Sequence, residues 1–319
     1  MRDRHVWPAG VYFFYYHDVS NNNIVPGYVR TSLKRFETEV EYIKSHFEII
    51  RFCSAIEYLK TKSIDKRYAI LCFDDGYTGA VENALPLLEL NGIPAILFLS
   101  GSFVRQQRVS EAVFVDFITR NWSSEKIVKV FPGYNKTESF RSFAKKGSSF
   151  RQFEFFHDIL GEKLLKERVF ANEKMIRNLN SDIFTLGNHT VNHLWLPNLT
   201  ASETEIEIRI NHEYLSTFQG YEKFLAIPYG SNDSFNSTIL LYIHDYSSDV
   251  LIKAVGGIKH KTEGDILFIE RIGLSDRKPP IPLLIHERLR ELSVYNRVVR
   301  FGYNYMLKAA RKLLNQSAL

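Results

Sequence analysis

Seven short apolar runs, rich in β-branched and aromatic residues, recur along the chain at 11–16, 68–73, 94–99, 182–187, 223–228, 249–255 and 267–272. Runs of this length bounded by turn residues read as buried strands. Between the second and third, Val81, Ala84, Leu85, Leu88 and Leu90 fall on a helical stripe that Gly92 closes and Pro94 follows. The same period returns over 31–46 and over 201–219, where Ser202 is expected to cap the helix with Glu205 three residues on. Strands separated by helices imply an α/β fold with a parallel sheet or a (β/α) barrel.

The rhythm breaks over about 105–180, where Phe131, Tyr134, Phe143, Lys145, Lys146, Phe150, Phe153, Phe155 and Phe156 crowd a stretch with only patchy helical period. This stretch reads as an insertion, either a helical cover over the sheet or a lid or binding surface. At 319 residues, 45% apolar and 24% charged, the chain has the composition of a globular protein with a sizeable core. No apolar run approaches the roughly 18 residues a membrane-spanning helix needs. Residues 277–319 hold nine Lys or Arg against two acidic residues, so the excess of +5 comes from one end and no nucleic-acid partner is expected. Cys53 and Cys72 are the two cysteines, and Cys72 lies inside an apolar run, so no disulfide is expected. The start, Met1 to Gly10, lacks an apolar signal core, and the expected location is cytoplasmic.

Three strand ends carry chemistry. Leu71-Cys72-Phe73-Asp74-Asp75-Gly76-Tyr77 finishes a strand in two adjacent carboxylates. One can bind a metal while its neighbour faces a water, although a solvated strand end would look the same. Leu186-Gly187-Asn188-His189-Thr190-Val191-Asn192-His193 sets two imidazoles four residues apart, which on one helical turn would share a face and suit a divalent ion. Phe224-Leu225-Ala226-Ile227-Pro228-Tyr229-Gly230 is a strand entering a turn that could aim the Tyr229 amide into a pocket. Each is weak alone, but in a parallel barrel all three would converge on the C-terminal face, where such folds place their active sites.

Together these segments resemble the polysaccharide deacetylase family, the group with the NodB homology domain. Asp74-Asp75-Gly76, His189-Thr190-Val191-Asn192-His193 and Pro228-Tyr229-Gly230 match its first three motifs, and the likeness runs from Tyr16-His17-Asp18-Val19 to about Gly273. The third motif is most similar to that of biofilm poly-N-acetylglucosamine deacetylases. The resemblance implies a distorted (β/α) barrel as a catalytic domain over 1–275, with the insertion inside it and a basic amphipathic extension over 276–319. It implies a divalent metal, zinc being the commonest, held by Asp75, His189 and His193, with Asp74 as the base acting on the attacking water. Metal and the Tyr229 N–H would stabilise the oxyanion, and an acid would protonate the departing nitrogen of an N-acetylated glycan.

Two departures stand out. Many relatives carry an Arg two residues before the Pro of the third motif, where this chain has Ala226, and Arg271 is the candidate substitute. The late Leu-x-His motif has one formal match, Leu284-Ile285-His286, making His286 the candidate acid, with His17 at the first strand end and His244 in a helical run for comparison. From 284 to 314 an apolar stripe flanked by basic residues predicts an amphipathic helix that either packs on the barrel or docks peripherally on an anionic membrane face. The functions to weigh are an N-deacetylase on a polysaccharide, oligosaccharide or lipid-linked glycan, a related O-acetyl esterase or non-sugar amidase, and a catalytically impaired metal- or glycan-binding protein. Asp74 opposes the last, because a binding protein needs no base.

Overall fold

The computed structural model describes residues 7–284 apart from 62–63, 107, 109, 148–154, 156–157, 159–167, 235–236, 255–259 and 282–283. Pro8–Lys278 forms one compact unit. Of the remainder only Trp7, Pro279, Pro280, Ile281 and Leu284 are described, and most of the helix expected over 284–314, with His286, lies outside the described residues.

The apolar runs become strands as their composition dictates. They are β1 (Gly10–Tyr16), the short β2 (Asp18–Val19), β3 (Arg30–Thr31) and β4 (Glu48–Ile49), then β5 (Arg67–Asp75), β6 (Ala95–Leu99) and β7 (Phe184–Asn188). The series continues with β8 (Tyr221–Ala226), β9 (Val250–Ile252), β10 (Lys261–Glu263), β11 (Ile266–Ile269) and β12 (Ile272–Gly273). β5 is buried from Tyr68 onward and β6 throughout, as expected of parallel strands covered on both faces. The sheet runs in the order β10-β11-β9-β8-β7-β6-β5-β1-β12, parallel except for β10 on β11, with β4 pairing the start of β5 before β6 begins.

The sheet curls into a barrel whose two ends meet at a seam. Val11 and Phe13 of β1, Phe98 of β6, Phe224 of β8 and Leu267 and Ile269 of β11 belong to one buried interior cluster, although β1 and β11 stand far apart along the ladder. The Phe52 ring, from the Phe52–Thr61 helix, lies 5.5 Å from Phe13, 5.8 Å from Phe98 and 4.7 Å from Phe224, which only a curled sheet permits. Only Glu270 and Arg271 separate β11 from β12, strands at opposite sides of the sheet, so the chain itself crosses the seam there. His260 also bridges it, its Nε2 2.9 Å from the Val11 carbonyl and its Nδ1 accepting the Glu270 N–H at 3.3 Å.

Apart from Phe52–Thr61, which adds Phe52, Ala55 and Ile56 to the interior cluster, helices cover the sheet. The Leu33–His46 helix buries Phe36, Val40 and Ile43. The stripe at 80–91 opens with a π turn, Ala80–Ala84, before the Leu85–Leu90 helix. Ala201–Leu215 begins at Thr200, not at Ser202: Thr200 and Glu203 form the reciprocal capping box, since both pairs carry the right residues and the preceding turn at Leu196–Asn198 delivers the chain to the earlier one. The insertion supplies the helices Glu111–Asn121, Ser124–Val130 and Phe140–Lys146, whose Val113, Phe114, Ile118, Phe140 and Ala144 form their own core with Val25, Val29 and Tyr77. Among the described residues no helix is long and apolar enough to cross a membrane.

Candidate active site

Strand alternation aims the first motif. Ile70 and Cys72 of β5 face the barrel interior, so Asp74 continues that face, and Leu267 and Ile269 of β11 aim Arg271 into the same interior. There the guanidinium makes two parallel bonds to Asp74, Nη1 to Oδ1 and Nη2 to Oδ2, both 2.7 Å. Arg271 is 1% exposed, donates through Nε to the Lys253 carbonyl at 3.0 Å and lies 4.5 Å from the centre of the Tyr15 ring. Burial pushes the Asp74 carboxyl up, but the Arg271 charge outweighs it and holds the group below the usual carboxylate range.

At Asp75 the backbone turns left-handed, φ 71°, and swings the second carboxylate away from its neighbour. His189 leaves the end of β7, and one donor atom each from Asp75, His189 and His193 lies within 4.8 Å of the others. Asp75 Oδ1 stands 3.4 Å from His189 Nε2 and 3.3 Å from His193 Nε2, yet this buried oxygen accepts no hydrogen bond. His189 Nδ1 meets the Ala226 carbonyl at 2.7 Å; a carbonyl only accepts, so Nδ1 carries the proton and Nε2 offers its lone pair. Two imidazole nitrogens and an orphaned carboxylate oxygen in one buried spot fit a divalent cation of the zinc type. Burial raises Asp75, but the two imidazoles pull it well below its ordinary value, while burial lowers His193 to about 4.

The imidazole pair is not on a helical turn. The chain from 189 to 195 is an irregular loop in which Thr190 (φ 64°) and His193 (φ 56°) are left-handed, and this reversal, not a 3.6-residue period, brings the rings together with centres 5.0 Å apart. Its supports come from the Ala201–Leu215 helix. Buried Glu207 accepts the Asn192 backbone N–H at 2.9 Å and its side-chain amide at 2.8 Å, and its backbone carbonyl takes the Val191 N–H at 2.9 Å. Asn188 accepts the Thr190 N–H and the Asn211 amide, both at 2.8 Å.

Tyr229, in the third motif, is left-handed at φ 61° and its ring lies 5.0 Å from that of His193. Gly230 follows at φ 58°, where a Cβ would come within 2.2 Å of the Ala254 nitrogen, so only glycine fits. The Tyr229 hydroxyl donates to Glu111 of the insertion, whose carboxyl desolvation raises to about 7. His17 is half-buried at the end of β1, its ring 5.5 Å from that of Tyr15; burial lowers it while Asp75 and Asp74 pull it back up. His244, 62% exposed and paired with Asp249, takes no part in this cluster, and His286 lies outside the described residues.

Sequence reasoning missed Glu111, Asn188, Glu207 and Asn211. The signal for two of them was present: Glu207 and Asn211 share the buried face of their helix with Ile208 and Leu215, and polar residues on an apolar stripe need partners.

The family model for polysaccharide deacetylases matches residues 61–248. Among solved structures the chain is similar to IcaB from Ammonifex degensii, at 16% identity over 88% of this chain and 99% of that one, with a TM-score of 0.57. It is similar also to the deacetylase PplD from Streptococcus pyogenes, solved with acetate, at 15% identity over 87% and 98% with a TM-score of 0.52. A de-N-acetylase from Aggregatibacter actinomycetemcomitans gives 12% identity over 84% and 96% with a TM-score of 0.53. No curated protein matches the chain. With its curled barrel, its three strand-end motifs at one site and a family match over more than half its length, the chain belongs to the polysaccharide deacetylase family.

Proposed function

We propose that this site hydrolyses the N-acetyl group of a saccharide through a divalent ion, zinc in the first instance, held by Asp75, His189 and His193. The observation that carries the reading is the juxtaposition of this buried triad with an ionised second carboxylate, Asp74, that Arg271 fixes in place. Bound there, the ion supplies Lewis acidity toward water and toward the acetyl carbonyl. Asp74 takes the proton from the attacking water, and Arg271 keeps it ionised and oriented. The Tyr229 backbone N–H faces the developing oxyanion. For the departing nitrogen we assign the proton to His17, which follows Tyr16, the strand partner of Phe73 just before Asp74, with His286 as the competing acid.

Acetate release from N-acetylated oligosaccharides by the zinc-loaded protein tests the reading, with O-acetylated glycans and simple amides alongside. Asp74→Asn should lower kcat by a factor of roughly 10² to 10⁴ with zinc still bound. Acetate from the O-acetylated substrates alone would transfer the assignment to an esterase, and metal binding without any turnover would make the protein a binder. The acid is whichever of His17→Ala and His286→Ala loses activity on N-acetyl substrates but keeps it on an aryl acetate, whose leaving group needs no proton.

A further inference from the structure

The insertion touches the first and third motifs through two consecutive residues. Ser110, which caps the Glu111–Asn121 helix, lies 3.2 Å from the Tyr77 hydroxyl, two residues beyond Asp75. Glu111 accepts the Tyr229 hydroxyl. From the Phe140–Lys146 helix, Lys145 donates to Ser231 Oγ at 3.2 Å and pairs with Asp233 at 3.4 Å. Its ammonium also lies 5.3 Å from the centre of the Tyr229 ring and 5.1 Å from that of Trp195. Both helices rest on one apolar core, so the two grips act as one body.

The gripped turn needs support. β8 ends at Ala226, and the chain then passes through consecutive left-handed residues, Tyr229 and Gly230, of which the tyrosine persists there only when its surroundings hold it. We propose that Glu111 and Lys145 are positioning residues that clamp the 229–233 turn and so hold the Tyr229 amide in line with the metal triad. The insertion is then part of the reaction machinery, because without the clamp the turn samples conformations in which that N–H is misdirected. The geometry stands alone; only its consequence for turnover rests on the deacetylase reading.

The test uses the full-length zinc-loaded protein and hydrogen–deuterium exchange of peptides covering 228–234, beside kcat and KM for acetate release from N-acetylated chito-oligosaccharides. Glu111→Ala and Tyr229→Phe should each speed exchange in that turn by about three- to tenfold, the loss of one side-chain hydrogen bond, and Lys145→Ala, which loses its bond to Ser231, its pairing with Asp233 and its contact with the Tyr229 ring, by at least as much. They should lower kcat with KM within twofold, and Glu111→Gln, which still accepts the phenol, should restore both readouts. Glu111→Ala combined with Tyr229→Phe should be no worse than either alone. Should Glu111→Ala fail to fold, Tyr229→Phe, which loses only a hydroxyl, and Lys145→Ala carry the test. Exchange at the wild-type rate in the folded variants overturns the clamp whatever the activity. Faster exchange in a protein that releases no acetate even as wild type upholds the clamp and removes the deacetylase reading instead.

Discussion

Asp74 and Asp75 differ by one backbone reversal. Alternation carries Asp74 into the barrel interior to Arg271, and the left-handed turn at Asp75 directs the next carboxylate to the two imidazoles. Four of the eight described non-glycine residues with positive φ, Asp75, Thr190, His193 and Tyr229, belong to the three motifs. Strain of this kind costs on the order of 1–3 kcal/mol per residue, and it collects where the chemistry needs the geometry. The sign of the pH dependence follows from Asp74, whose folded value lies below its unfolded one. The stability it contributes is fully present above the unfolded value of about 3.9 and is lost as pH falls through the lowered folded value. Arg271→Ala removes the offset and leaves burial to raise the carboxyl. The acid limb of kcat/KM should then move to higher pH by a unit or more, and urea unfolding should show a loss of about 3–5 kcal/mol for the stranded buried charge. An unchanged pH profile would mean that Arg271 does not set the ionisation of Asp74.

At the scale of elements, the Ala201–Leu215 helix does more than cover the sheet. Its buried Glu207 and Asn211 anchor the His189–His193 loop and the end of β7, and a loop with two left-handed residues has no ladder of its own to fix it. Glu207→Ala should weaken zinc binding by about 10- to 100-fold in a chelator competition, the usual range for groups that orient metal ligands, while Glu207→Gln retains an acceptor and recovers most of it. Thr200→Ala should cost about 1 kcal/mol of stability through the capping box, and Ser202→Ala much less, in thermal or urea unfolding. The sequence contained both possible boxes, two residues apart, and its helical period placed the body of the element but not its start. The imidazole spacing misled in a similar way: four residues apart fits a helical turn, and the chain reaches the same convergence through a loop whose support is remote in sequence.

For the whole molecule, the barrel seam and the candidate metal site are linked, because the residues that cross the seam carry the partner of Asp74. Zinc at 100 times its dissociation constant stabilises the folded state by about 2.7 kcal/mol. Its addition should therefore raise Tm by several degrees, with chelation reversing the gain and Asp75→Asn abolishing it; a zinc-independent Tm would argue against the triad as a binding site. The seven strands and the bodies of the helices over 80–91, 31–46 and 201–219 were legible in the chain alone, since backbone periodicity is a local property, whereas the choice of Asp75, His189 and His193 as candidate ligands came from the family resemblance. Tertiary structure alone decided that the sheet curls until β11 and β12 meet across two residues and that the imidazoles converge through left-handed turns; Arg271 was a candidate in the chain, and only the fold brings it to a carboxylate 197 residues away. Those outcomes depend on strand order and on the packing of distant segments, and no local pattern in a single chain encodes which strands become neighbours.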